Sequence, residues 1–173
     1  GKEVMPEGIR VMDAAARKGC SDRQCEQCDS SSWDYYELHG KTLPDGWTWA
    51  TPDQLAAFDE GAICAGPFGT IFKARDFRPE GIPIIFLRHV SPGQYLTRKP
   101  GFMDVVKWEE LFKPYSVFGG ELLVTKLGEP PGVCAIYPKG IGSAMVTPDV
   151  IKMTQNPDAA HPVFLIHYFN SQT

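Results

Sequence analysis

Residues Phe118 to Pro138, Phe-Gly-Gly-Glu-Leu-Leu-Val-Thr-Lys-Leu-Gly-Glu-Pro-Pro-Gly-Val-Cys-Ala-Ile-Tyr-Pro, leave a folding chain few choices. Two short apolar runs, Leu122 to Leu127 and Val133 to Tyr137, flank a Gly-Glu-Pro-Pro-Gly connection. In that connection Pro131 presets φ and Gly132 is free to take a positive φ, as a type II turn requires. This is a strand, a turn and a strand. Thr125 and Lys126 close the first strand beside the turn, where a rigid sheet can aim side chains at a partner.

The chain of 173 residues is one ordinary domain with room for an appendage, large enough to bury a core without disulfides. It has no apolar run of 18 residues and no signal-peptide pattern, so membrane insertion and secretion are not expected. Its five cysteines are odd in number and form no framework, which suits a reducing, cytoplasmic compartment. The net charge of −4 argues against nucleic acid, but the charge is unevenly spread. Residues 1–60 hold 6 Lys and Arg against 12 Asp and Glu. Residues 70–113 hold 8 basic (Lys73, Arg75, Arg78, Arg88, Arg98, Lys99, Lys107, Lys113) against 5 acidic. A local patch is what phosphate contacts need, because screening limits distant charge to about 8 to 10 Å; a solvated surface is the plainer reading of charge alone.

Ile9, Met12 and Ala16 recur at helical spacing, with Arg17 and Lys18 before a stop at Gly19, which predicts a short helix over Pro6–Lys18. Residues 20–42 lose all periodicity and read as a linker. Within them lie Cys20, Cys25 and Cys28, with His39 further on. Three thiolates and an imidazole could hold tetrahedral zinc. The spacing also equals the first three ligands of a plant-type iron–sulfur ferredoxin, with Cys64 needed as the fourth. Free thiols in a linker are the simplest account, and no metal ligand is assigned. A metal or redox module centred on these three cysteines is the alternative of a different class.

In the remainder, Trp47 and Trp49 alternate with Thr48 as in a half-buried strand. Thr51-Pro-Asp-Gln54 is a capping box with proline at the first helical position, predicting a helix from Pro52 to about Asp59. Gly66-Pro-Phe-Gly69 is a tight turn, and the following residues project Lys73, Arg75 and Arg78. Ile82 to Val90 is an apolar run of central-strand character ending in Arg88 and His89. If its end lies beside the Thr125–Lys126 end of the hairpin, Arg88, His89, Thr125 and Lys126 form one polar surface. There Arg88 is the natural base reader, since a guanidinium matches guanine O6 and N7 bidentately. Lone histidines are more often structural. Residues 91–113 form a long excursion with exposed-looking Gln94, Tyr95, Arg98, Lys99 and Trp108, suited to a groove or backbone contact. Ala144 to Met153 predicts one strand interrupted by Pro148, hence at an edge or bulged, and His161-Pro162 starts a last helix over Val163–Phe169.

Catalytic patterns are missing. Glu129-Pro-Pro-Gly132 has the outline of the Asp/Asn-Pro-Pro-aromatic loop of amino-methyltransferases, but glycine cannot stack on a flipped base and no Gly-rich cofactor loop follows a strand. Pro148-Asp149 lacks the later acidic-x-Lys of a metal-dependent nuclease. No Walker loop, nucleophile elbow or His-Glu-x-x-His occurs. Neither catalysis nor a cofactor is expected.

Five blocks in order resemble the target recognition domain of the DNA-specificity subunit of type I restriction-modification systems. They are Leu43-Pro-Asp-Gly-Trp-Thr-Trp; Gly66-Pro-Phe-Gly-Thr-Ile-Phe-Lys with Gly81-Ile-Pro-Ile-Ile; Gly119-Gly-Glu-Leu-Leu-Val-Thr-Lys-Leu-Gly; Pro131-Gly-Val-Cys-Ala-Ile-Tyr-Pro; and Met145-Val-Thr-Pro-Asp-Val-Ile-Lys-Met. The resemblance spans about residues 43–170. It implies an α+β domain with a twisted, mostly antiparallel, partly barrel-like sheet and short peripheral helices over residues 43–173, preceded by an extension over 1–42. It also implies sequence-specific binding of double-stranded DNA, one half of a split site. The partners implied are methyltransferase subunits and, through them, the restriction subunit. A single-chain restriction-methylation enzyme would use the same kind of domain. One recognition unit where the family carries two, and no heptad helix after Asn170, imply a fragment or shortened subunit. Charge and strand-end position, rather than the resemblance, nominate Lys73, Arg75, Arg78, Arg88, His89, Tyr95, Thr125 and Lys126 as DNA contacts.

Overall fold

The computed structural model describes residues 50–68 and 71–171. The helix expected over Pro6–Lys18, the linker with Cys20, Cys25, Cys28 and His39, the domain boundary at residue 42, the Trp47–Trp49 alternation and Gly69 of the expected turn lie outside those residues. In chain order the elements are α1 (Pro52–Leu55), β1 (Ile63–Ala65), β2 (Phe77–Arg78), β3 (Ile82–Ile85), β4 (Val90–Ser91), β5 (Gln94–Tyr95), β6 (Gly101–Met103), α2 (Val105–Lys107), β7 (Ser116–Val117), β8 (Leu122–Thr125), β9 (Cys134–Ile136), β10 (Ala144–Val146), β11 (Val150–Met153) and α3 (Pro162–Asn170). The architecture is α+β, with short helices outside two sheets.

The hairpin forms as its residues dictate. Leu122, Leu123 and Val124 of β8 face Ile136, Ala135 and Cys134 of β9 in antiparallel register. Gly132 takes φ +85 in the connection, where the Gly132 N–H donates to the Thr125 carbonyl at 2.9 Å. β8 is the hub of a four-stranded antiparallel sheet in the order β1-β11-β8-β9. A five-stranded sheet, β2-β6-β3-β10-β7, lies behind it, antiparallel except for the β3–β10 pair, and β4–β5 is a separate ribbon. Among the described residues these are open sheets, in place of one partly closed one. With strands of two to four residues, packing one sheet on the other covers their apolar faces instead of closure.

The layering follows from side-chain alternation. Leu123 of β8 packs with Ile85, Ala144, Val146 and Val150 between the two sheets. Its neighbours Leu122 and Val124 point the other way, onto Met153, Ala160 and Leu165 under α1 and α3. Ile84 and Met145, one residue out of phase with Ile85 and Val146, pack with Met103, Trp108 and Phe112 behind the second sheet. Both faces of β3, β8 and β10 are therefore covered, which is why these strands read as unbroken apolar runs. Each fully buried Leu, Ile or Met contributes about 1.5–3 kcal/mol.

Several expectations are corrected. The helix at Pro52 keeps its capping box, with the Thr51 N–H donating to Gln54 Oε1 at 2.7 Å, but it ends after one turn at Leu55. The run 82–90 is a central strand only to Ile85, because the Ile85 carbonyl is taken by the backbone N–H and hydroxyl of Thr147 and the chain turns away. The run 144–153 is two strands in different sheets, neither at an edge. Pro148 lies at the corner where the chain crosses between sheets, so its missing N–H interrupts no ladder. Trp108 is only 6% exposed, and its indole N–H donates to Ser116 Oγ at 2.7 Å. The last helix begins one residue early, at Pro162 behind an N-cap at His161.

Candidate functional site

The ends of β3 and β8 do meet on one rim, through the β10–β11 corner. Ile85 is held by Thr147; Thr125 pairs with Val150 in register; and the Lys126 N–H donates to the Asp149 carbonyl at 2.8 Å. Gly66 closes against the same corner, its N–H donating to the Thr147 carbonyl at 3.2 Å. A Cβ at Gly66 would fall 2.1 Å from the Val146 carbonyl oxygen, so this approach demands glycine. The rim thus gathers residues 66–68, residue 85, residues 125–126 and residues 147–149 from four separate stretches of chain, and Arg88 stands three residues beyond Ile85 where the chain turns away.

The eight nominated residues divide into those that present groups to solvent and those that hold the rim from inside. Lys126 is exposed, its ammonium 4.6 Å from the centre of the exposed Phe68 ring. Arg88 is exposed, with its guanidinium carbon 4.1 Å over the Phe86 ring and Nη2 donating to the Lys99 carbonyl at 3.4 Å. Lys73 is half-buried at the start of a single helical turn over 74–76, and Arg75 is exposed within that turn. Arg78 is exposed but engaged: Nε meets Asp104 at 3.2 Å, and Nη1 donates to the carbonyls of Arg75 and Phe77. It borders an open surface cleft of about 480 Å³ with Val105 and Val106. Tyr95 is half-buried, edge-on to Tyr137 at 5.1 Å. Thr125 is buried, and its hydroxyl accepts from the Val133 N–H at 2.9 Å, locking the hairpin turn. His89 is 1% exposed, and its Nδ1 accepts from the Phe86 N–H at 3.1 Å. These two polar side chains stabilise the rim and present no surface.

Burial pushes the His89 pKa down, the charges of Arg88 and Arg98 push it further, and the Lys99 backbone opposes them more weakly. An Nδ1 that accepts from an amide leaves the proton on Nε2, so the imidazole is neutral. Among the described residues its Nε2 makes no hydrogen bond of good geometry, and the nearby Lys99 carbonyl accepts from Arg88 instead. Part of the basic middle segment is neutralised locally: Lys107 pairs with Asp76, whose carboxyl is held below its usual range by that hydrogen bond, and Lys113 with Glu109. Among the described residues no ion pair engages Lys73, Arg75, Arg88, Arg98, Lys99 or Lys126.

Sequence reasoning did not single out Phe68, Phe86 or Asp149. Phe86, two residues before Arg88 at the end of an apolar run, carried the one usable signal: an aromatic placed for a guanidinium to lie on. Among the described residues there is no cluster of three metal-ligating side chains and no helix long and apolar enough to cross a membrane.

Two solved structures share the fold. One is a chain of a type I R-M system, from a structural study of its complex assembly and conformational transition. It is 13% identical with a TM-score of 0.54, covering 92% of this chain and 35% of that one. The other is the HsdS subunit from Thermoanaerobacter tengcongensis, 13% identical with a TM-score of 0.51, covering 81% of this chain and 34% of that one. At that identity the likeness is one of fold. No family model matches the chain. Two curated proteins are similar in sequence instead. D-malate dehydrogenase (decarboxylating) of Escherichia coli K12 is 46% identical over 138 residues, covering 70% of this chain and 37% of that protein. Tartrate dehydrogenase/decarboxylase of Pseudomonas putida is 35% identical over 136 residues, covering 69% and 36%. The chain therefore spans a little over a third of the length of each. A match over 70% of the chain cannot be confined to residues 1–49, so it enters the described domain. Fold and sequence point to different proteins.

Proposed function

We propose that this chain is a DNA target recognition domain: it reads one half of a split site in double-stranded DNA and directs methyltransferase subunits, and through them a restriction subunit, to that site. In this reading the chain itself performs no chemistry and works in the cytoplasm. The observation that carries it is the likeness in fold to the HsdS subunit and to a chain of a type I R-M system, which takes in 92% of this chain in the second case. The rim supports it physically. Exposed Lys126 stands at the end of β8, and exposed Arg75 and Arg88 stand on short helical turns, where cations can meet phosphates without reordering the backbone. Lys126, Lys73 and Arg75 are the phosphate contacts, Arg88 the base reader, and Tyr95 flanks them. Arg78 joins only if DNA replaces Asp104 as its partner, and His89 and Thr125 serve by holding the rim.

The test is a graft. Residues 43–170, placed in a related specificity subunit in exchange for one of its two recognition domains, are expected to change one half of the methylated split site and leave the other intact. Both halves unchanged in a soluble chimera bound to its methyltransferase subunits would overturn the proposal. The isolated chain should bind duplex DNA weakly and lose affinity steeply with salt.

A second reading rests on the curated sequence relatives: the chain is part of a decarboxylating dehydrogenase acting on D-malate or tartrate. We place it second because the described residues hold one parallel strand pair and no repeated strand–helix–strand crossover of the kind that builds a doubly wound nucleotide-binding sheet. Carbon dioxide released from D-malate by the purified chain supplied with a two-electron acceptor such as an oxidised nicotinamide nucleotide, with matching reduction of that acceptor and without salt-sensitive DNA binding, would reverse that order.

A further inference from the structure

We propose that Phe86 and His89 are positioning residues for Arg88: with the Lys99 carbonyl they hold its guanidinium as a preset reader of a guanine edge, so this corner sets sequence preference while Lys126 supplies affinity that ignores sequence. The inference rests on the DNA reading above and deepens it.

An exposed arginine ordinarily loses up to about 2 kcal/mol of rotamer entropy when a ligand fixes it. Arg88 is already held at two points. Its guanidinium lies 4.1 Å over the Phe86 ring, an arrangement favoured by the ring's negative face, and Nη2 is tied to the Lys99 carbonyl. A guanidinium has five N–H donors, so one tie leaves enough for a bidentate contact to O6 and N7.

The platform is itself fixed. Phe86 follows Ile85, whose carbonyl is clamped twice by Thr147 at the sheet end. Its ring meets Phe77 edge-on at 6.3 Å and His89 at 5.8 Å. Gly101 leaves the ring its room, since a Cβ there would approach Phe86 to 3.3 Å. The buried His89 accepts from the Phe86 N–H and abuts Tyr95 at 6.3 Å, which abuts Tyr137 in the core. A continuous line of rings thus runs from the interior to the guanidinium. Lys126 also lies on a ring, Phe68, but that ring is itself exposed and an ammonium lacks the flat fork that matches a base.

The test uses the full chain and a pool of duplexes with a randomised segment, sequencing the bound fraction at low salt. Wild type is expected to enrich a guanine at one fixed position. Arg88→Gln and Arg88→Lys should lose that preference by roughly 5- to 100-fold, the lysine variant with the salt slope unchanged. Phe86→Leu, which keeps apolar bulk but removes the π-face, should lose roughly 2- to 30-fold of the same preference, with bulk-duplex affinity within about twofold of wild type. His89→Asn, whose Oδ1 can accept from the Phe86 N–H, should retain the preference, and His89→Leu should lose it. A Phe86→Leu or His89→Leu variant that keeps the guanine while Arg88→Gln loses it overturns the positioning role and leaves the DNA reading standing. An Arg88→Lys variant that keeps it overturns the base-reading fork. Absence of binding by wild type overturns the DNA reading and this inference together.

Discussion

Gly66→Ala is the substitution whose cost the structure fixes most tightly. The added Cβ would lie 2.1 Å from the Val146 oxygen, 2.3 Å from the Thr147 carbonyl carbon and 2.5 Å from the Thr147 oxygen. All three are backbone atoms at the corner between the two sheets, so no side chain can swing aside. Relief requires residues 66–68 to lift away by more than about 1 Å, which loses the Gly66–Thr147 hydrogen bond. Overpacking of this kind costs about 1–3 kcal/mol and the lost bond about 0.5–1.5 kcal/mol, together about 2–4 kcal/mol. With a urea dependence of about 2 kcal/mol per molar, the middle of the usual range, the unfolding midpoint should fall by roughly 1–2 M. Gly132→Ala is the internal comparison. There a Cβ meets nothing within 4 Å and only the φ of +85 opposes it, so about 1–2 kcal/mol is expected. Urea titrations of both variants, followed by tryptophan fluorescence and circular dichroism, give the order. A Gly66→Ala midpoint equal to wild type, or a smaller shift than for Gly132→Ala, would show that the close approach at the corner does not constrain the fold.

Other outcomes follow from single contacts. His89 has a folded pKa below its unfolded value of about 6.5, so the unfolded chain takes up the proton first as pH falls. Unfolding free energy should be level with respect to this group above about pH 7 and decline below 6.5; His89→Asn should flatten that decline in urea titrations across pH. Ser116→Ala strands the buried indole N–H of Trp108 and should cost about 1–3 kcal/mol, read as a lowered midpoint with a changed tryptophan spectrum. Lys73→Ala and Lys126→Ala should each weaken binding to all duplexes alike and reduce the salt slope by about 1, measured by titration at several salt concentrations. Unchanged slopes in folded variants would mean that these lysines only cap a sheet rim.

What could be read in the sequence was what is decided locally. The hairpin was legible because an apolar run, Pro131-Gly132 and a second apolar run leave one arrangement, and the Thr51–Gln54 box because its two hydrogen bonds span three residues. Features set by distant partners were not. The run 144–153 looks like one strand because both halves are apolar; that they join different sheets depends on β3 and β8. Trp108 sits between Lys107 and Glu109, a polar setting, yet Ser116 and the back of the second sheet bury it. At the site, strand-end position anticipated that the ends of β3 and β8 meet at one corner, and charge nominated Arg88 and Lys126, both of which are exposed. They could not say that His89 Nδ1 and the Thr125 hydroxyl are taken up by the amides of Phe86 and Val133.

The rim has a history within each round of synthesis. β1 waits for β11, ninety positions later, since Ile63 pairs with Met153, and the corner that joins the ends of β3 and β8 is itself made of residues 147–149. At about 5–20 residues per second, roughly 5 to 18 s separate the emergence of Ile63 from that of Met153. Lys73, Arg75, Arg88, Arg98 and Lys99 all emerge within that interval, before β10 and β11 exist to complete the two sheets. The corner that holds the ends of β3 and β8 together exists only once these last two strands have been made. A chain stalled or cut before residue 150 therefore keeps these cations but lacks β11, the strand that joins β1 to β8.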